Sequence, residues 1–375
     1  MIKSLYFDRV LIICFFVLYV LGLVFVFSAT SVPSVLTDKD PFYFLRKETI
    51  WVVLGISAMF VSYLIPVDFW KKIAYPLALF TVFLLIVVLI FPAQINGSSV
   101  KRWIDLGFIR FQPSELAKLS VVMFLAYFIH RKENVRGFLE SWTGLAAAVS
   151  IPAVMTILVL IQPHKGAALF LAMLTFMILF SSKFSTKKVL LIPALVVPAF
   201  AYLIMTSDYA SKRITALINP IENRSGVSYQ VFQSILSFVK GGLTGEGIGG
   251  GTQKLKYLPE IHTDYIYALI GEETGFVGTV FIVFIFLLIL YRGLKISLEV
   301  DDTFSQVLGT GITFMIVLQG LLHMAVNTSI LPPTGFTLPF ISYGGSSLLV
   351  TSIAAGILLR LSKEPKMTIY RRSGL

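Results

Sequence analysis

The sequence predicts an all-α integral membrane protein with ten transmembrane helices and a large extracytoplasmic loop before the eighth. Three observations carry that prediction. Of the 375 residues, 56% are hydrophobic and only 14% are charged, and the mean hydropathy is +0.84, far outside the range of a water-soluble domain. Apolar runs of about 20 residues, the length a helix needs to cross the hydrocarbon core, recur along the whole chain. Basic residues gather in alternate, short connections, as the positive-inside rule requires of a polytopic protein.

The runs lie near 10–28, 49–65, 73–92, 113–130, 143–162, 166–182, 187–206, 265–291, 305–326 and 343–361. The first is too long for the apolar core of a secretory signal and is expected to be a retained helix. It contains the chain's one cysteine, Cys14, which can form no internal disulfide and is assigned no chemistry. The fifth and sixth runs are separated only by "QPHKG", which suits a tight turn between antiparallel helices. An even number of spans puts both termini on one side. Lys71, Lys72, Arg131, Lys132, Lys183, Lys187, Lys188, Arg292, Arg360 and Lys363 then fall on the side of the termini, which makes that side cytoplasmic. The three longest connections, 29–48, 93–112 and 207–264, face outward, and residues 1–375 form a single polytopic domain. The net charge of +11 follows from this topology and from anionic headgroups, so no nucleic-acid partner is expected. The four histidines, His130, His164, His262 and His323, are scattered, and no cluster has structural zinc spacing.

Polar residues concentrate on the outer side beyond what solubility needs. In "NGSSVKRWIDLGFIRFQPSELAK", Gln112-Pro113 looks like a helix start, with Glu115 in the first turn and Lys118 three residues on. The pair could simply cap and brace the helix, but a lysine entering a span is costly unless it faces a partner or a wet cavity. In "SYQVFQSILSFV", Val231, Ile235 and Phe238 share one side, which predicts a short helix lying on the membrane surface. "GGLTGEGIGGGTQK" then frees backbone amides to approach an anion, or is only flexible. "LPPTGFTLPFISYGGSS" is irregular backbone just before the last span. Asp264, in "LPEIHTDYIYALIGEETG", stands at the mouth of the eighth span. Either Thr263 or Asp264 could be that helix's N-cap.

The segments "KRWIDLGFIRFQPSELAK", "YLPEIHTDYIYALIGEETGFVG" and "LPPTGFTLPFISYGGSS", in that order, resemble the SEDS family (shape, elongation, division and sporulation) from the first span to the last. "GTQKLKYLPE" and "DPFYFLRKETIWVVLG" bring the chain closer to the division-type branch, FtsW, than to the elongation-type branch, RodA. The resemblance implies a peptidoglycan glycosyltransferase in the bacterial cytoplasmic membrane that polymerises lipid II on the outer face. It also implies a class B penicillin-binding protein as partner within the division or elongation machinery. One departure stands out: where the family has an acidic, threonine-containing turn, this chain has "QPHKGAA", so no role passes to His164, Lys165 or Ala167.

Chain growth joins the 4-hydroxyl of one disaccharide to an anomeric carbon whose leaving group is a lipid pyrophosphate. One carboxylate can take the acceptor proton, and cations rather than an acid stabilise the departing pyrophosphate. The resemblance therefore implies Asp264 as general base, with Arg102, Lys118, Arg213 and Lys254 as cations. Glu115, Gln233, His262 and Ser342 complete the expected substrate-binding set. His262 is a rival base by residue type or else a rim residue that orients the loop. Glu272 and Glu273 lie deeper and are expected to be buried partners of a neighbouring helix. A divalent cation, Mg or Mn, is left open, and no organic cofactor is expected. A lipid II flippase or other transporter would instead place ionisable residues near the midplane in broken helices, and a pure scaffold would need no outward carboxylate.

Overall fold

The computed structural model describes residues 7–35, 40–95, 98–100, 102–105, 107, 110–205, 226–255, 258 and 260–363. Among them are twelve helices: α1 (Arg9–Val35), α2 (Tyr43–Leu64), α3 (Val67–Ile90), α4 (Pro113–Lys132), α5 (Trp142–Ile161), α6 (Lys165–Phe180), α7 (Thr186–Val189), α8 (Leu191–Met205), α9 (Gly226–Gly241), α10 (Ile266–Glu299), α11 (Thr303–Asn327) and α12 (Gly345–Leu361). Five are long and apolar enough to cross a membrane: α1, α3, α5, α10 and α11. The remaining apolar runs also fall on helices, but α2 and α4 carry charges in their first turns, α6 and α12 have 16 and 17 residues, and the run 187–206 divides between α7 and α8. The connection before α4 is not purely irregular. It holds two antiparallel hairpins, β1 (Ala93–Ile95) with β2 (Ser98–Val100) and β3 (Ile104–Asp105) with β4 (Arg110–Phe111), in register Ala93↔Val100 and Ile104↔Phe111.

One continuous apolar core runs through the bundle, and the outside is also apolar, with Phe16, Phe60, Phe83 and Phe284 all more than half exposed. Between helices that gain nothing from burial alone, small residues allow close approach. A methyl group at Gly293, Gly311, Gly320 or Gly356 would stand 2.2–2.6 Å from the helix packed against it. At one end of the bundle Asp8 on the way into α1 pairs with Arg292, and Glu133 and Asp302 flank His130 at 3.4 Å each. The other end gathers the hairpins, the 162–165 turn, the 260–265 turn and the 331–344 connection.

The sequence places α9 on the membrane surface; the structure instead packs it against the start of α10, through Val231 and Phe238 as well as its small polar residues. Ser234, Ser237 and Gly241 are buried, and Gly241 lies so close that a Cβ would meet the Gly271 carbonyl at 1.9 Å. Glycine at 241 lets the two backbones touch there, which any larger side chain would prevent. α9 thus descends beside the start of α10. There α10 is broken at Gly275, at φ 66°, ψ −162°. The freed amides of Phe276 and Val277 donate to the carbonyls of Gly242 and Leu243 at 2.9 and 3.2 Å, and those of Glu246 and Gly247 donate back to the carbonyls of Glu272 and Glu273 at 3.0 and 3.1 Å. Gly245, at φ +81°, is forced by this contact, since a Cβ would sit 2.2 Å from the Glu273 oxygen.

Candidate functional site

Asp264 is half-buried and lies on a turn fixed through its backbone. Three consecutive carbonyls each accept a hydrogen bond from a distant part of the chain. The Tyr343 amide donates to His262 O at 2.9 Å, the Ser342 hydroxyl to Thr263 O at 2.7 Å, and the Asn327 side-chain amide to Asp264 O at 2.9 Å. α10 begins after Tyr265 with no side-chain cap bond. Its first-turn amide at Ala268 is met by Asn327 Oδ1 at 3.0 Å, a cap supplied by another helix, so the N-cap expected of Thr263 or Asp264 is displaced. The Thr263 hydroxyl turns back to Glu260 O at 3.1 Å. Exposed Gly335 faces the carboxylate, its Cβ position 3.6 Å from Asp264 Oδ2.

Behind the turn, α11 carries a polar stripe at four-residue spacing, Gln319, His323 and Asn327, all buried. His323 Nδ1 donates to Phe336 O at 2.6 Å, which leaves Nε2 to accept from Asn327 Nδ2 at 3.3 Å. At the deep end Gln319 accepts from Lys118 Nζ at 2.7 Å and donates to Thr337 O at 3.0 Å. Lys118 also pairs with Glu115 at 2.6 Å and lies 5.4 Å from the centre of the Phe170 ring. Pro113 does occupy the first position of α4, but the Glu115–Lys118 pair is no exposed brace: the two side chains are 12% and 4% exposed. Eight residues of helix separate Gln319 from Asn327, about 12 Å, so the pair and Asp264 belong to one network without touching one reacting atom together.

The other expected residues divide. His262 packs its ring against both Phe44 and Tyr343, centroids 5.4 and 5.6 Å away. Burial lowers its pKa, opposed by Glu260. That environment suits the rim residue of the two readings. Arg102 donates to Pro163 O at 2.6 Å and to Gln162 O at 3.3 Å, so it holds the "QPHKG" turn, whose His164 lies 3.5 Å from Gln112. Lys254 is not at the turn. It is 3% exposed and spends its three N–H groups on Glu273 Oε1, Ser28 Oγ and Gly249 O at 2.8, 3.0 and 2.7 Å, which leaves no donor for a phosphate. Gln233 is buried in α9, and Arg213 lies outside the described residues.

Glu272 and Glu273 are buried as expected, but their partners are chiefly the glycine-rich run. The amides of Thr252 and Gln253 donate to the Glu272 carboxylate at 2.8 and 3.2 Å, so the anion this run approaches is the protein's own. Asn327, His323 and Gln319 were missed at the level of sequence. The signal was there: three polar residues at i, i+4 and i+8 inside an apolar span.

The cell cycle protein family model FTSW_RODA_SPOVE matches residues 8–367. The chain is 37% identical over 364 residues to the probable peptidoglycan glycosyltransferase FtsW of Geobacter metallireducens, covering 96% of each. It is 35% identical over 369 residues to that of Escherichia coli, covering 96% of this chain and 87% of the other. Among solved structures, Thermus thermophilus rod shape determining protein RodA superposes with a TM-score of 0.70 at 25% identity, covering 96% and 98% of the two chains. A chain from a structure of a peptidoglycan synthase complex, described as coordinating polymerization and crosslinking, gives 0.72 at 27% identity, covering 95% and 98%.

Proposed function

The chain belongs to the FTSW_RODA_SPOVE family of cell cycle proteins, and on that premise we propose that it is a division-type peptidoglycan glycosyltransferase polymerising lipid II, with Asp264 as general base. The observation that carries the assignment is a carboxylate facing exposed Gly335 on a turn whose three carbonyls are all tied down. Asp264 takes the proton of the acceptor hydroxyl as its oxygen attacks the anomeric carbon, and the bond to the lipid pyrophosphate breaks with its electron pair leaving on phosphate. Arg102, at the adjoining "QPHKG" turn, is the cation best placed for that anion. Among the described residues no three His, Cys, Asp or Glu side chains are placed to hold a metal ion, so a divalent cation would draw on Asp264 and on the substrate's own phosphates and would neutralise the departing charge.

The same reading places ten spans across the cytoplasmic membrane, both termini inside and the Asp264 turn outside, in one polytopic domain over residues 1–375 with the loop 207–264 before the eighth span. A class B penicillin-binding protein is the proposed partner, in keeping with the similarity to a complex that polymerises and crosslinks. One observation favours translocation instead: α10 is broken at Gly275 beside the buried Lys254–Glu273 pair, as transporter sites are built. One substitution separates the readings. Asp264→Asn should insert, fold and bind its partner but make no glycan from lipid II in reconstituted membranes. Long strands at the wild-type rate, with lipid II translocation by the same sample, would overturn the polymerase assignment.

A further inference from the structure

We infer that Asn327 is the positioning residue of the reaction, holding the Asp264 carboxylate in place from α11. The inference rests on Asp264 being the base. Asn327 is fully buried and its amide can be oriented one way only. Oδ1 faces a donor, the Ala268 amide at 3.0 Å. Nδ2 faces acceptors, Asp264 O at 2.9 Å, His323 O at 3.0 Å and His323 Nε2 at 3.3 Å. The side chain thus grips the residue before α10 and the first turn of α10 at once, and fixes Asp264 from its own carbonyl.

The grip extends to the other wall of the site. His323 Nδ1 donates to Phe336 O, next to the Gly335 that faces Asp264 Oδ2. Asn327 and His323, one helical turn apart, therefore set both the carboxylate and the backbone opposite it. The Asn327 carbonyl is itself anchored by the Ser234 hydroxyl at 2.6 Å, so α9 braces the same point. Ser342 supplies the second grip, on Thr263 O, while accepting from the Leu338 amide at 2.7 Å. A base on a loop gains its rate from being held ready in position, and displacing it by about 1 Å can cost on the order of a hundredfold.

Asn327→Asp tests this. It keeps the shape and the acceptor for Ala268 but sets an oxygen against Asp264 O. The expected result, with lipid II in reconstituted membranes beside the penicillin-binding partner, is a fall in kcat of about 10- to 100-fold. KM for lipid II should hold within about twofold, because no substrate contact is touched. Ser342→Ala should show the same split in milder form, and decides the matter if Asn327→Asp does not fold. A fall in kcat/KM carried by KM, or a folded variant of either kind with wild-type kcat, overturns the inference. Asp264→Asn run in parallel separates the two failures: if it is inactive while the Asn327 and Ser342 variants are fully active, only the positioning role falls; if it polymerises normally, the base assignment falls first.

Discussion

Replacing Lys254 by methionine should destabilise the protein rather than weaken its substrate binding. The substitution keeps most of the apolar stem of the side chain, one atom shorter, but removes three donors. Glu273, 0% exposed, then retains only the Ser28 hydroxyl on Oε1, at 2.6 Å. Removing one partner of a buried ion pair costs about 3–5 kcal/mol, since the remaining charge has no compensation. At about 1.4 kcal/mol per tenfold, that is at least a hundredfold in the folded-to-unfolded ratio. Adding Glu273→Gln should return part of the loss, because a neutral amide tolerates the site better than a lone carboxylate. Thermal unfolding in detergent, followed by tryptophan fluorescence, measures the change, and polymerisation per folded molecule should stay near wild type. A Lys254→Met protein as stable as wild type, with a raised KM for lipid II, would refute the structural role and restore Lys254 as the phosphate ligand that the sequence suggested.

Lys118→Met should lower polymerisation at least about tenfold while the protein still binds its partner, because it empties the deep end of the α11 network; near-normal glycan synthesis would remove Lys118 from the site. His262 should make stability fall on acidification. Its pKa is held below 6.5 by burial, so the unfolded chain binds the proton first and stability declines as pH drops below about 6.5. Thermal unfolding at neutral and mildly acidic pH should show that slope, and His262→Phe should flatten it.

The spans were legible because their signal is additive over about 20 residues: a few charges in α2 or α4 dilute it without erasing it. The placement of α9 was not, since an apolar side such as Val231 and Phe238 can be covered by lipid or by protein alike. The choice of packing face was made by Ser234 meeting Asn327 and by Gly241 and Phe238 meeting Gly271, a match between two segments that neither displays alone. The glycine-rich run was legible as an amide cradle, but its anion, Glu272, lies twenty residues further on in the chain. Lys254 was misplaced for the same reason, its ion pair being set by the break at Gly275. Asp264 could be picked out by its position at the end of an apolar run, whereas the clamp around it comes from residues 63 and 78 positions away.

That distance also says how the two polar groups of this molecule cooperate. Glu115 and Lys118 come from the first half of the chain and meet α11 at Gln319; Asp264 meets α11 at Asn327. Between them His323 and Gln319 fasten Phe336 and Thr337 of the 331–344 connection, so α11 is the element both groups share. Buried polar side chains along one helix face cost stability unless every donor and acceptor is met, and when they are met they specify one arrangement of the surrounding backbone. In this chain the arrangement so specified is the pair of walls on either side of the Asp264 carboxylate. On the proposed reading, the buried charge of Lys118 acts on the reaction through that arrangement, at about two helical turns' remove, rather than by reaching the reacting atoms.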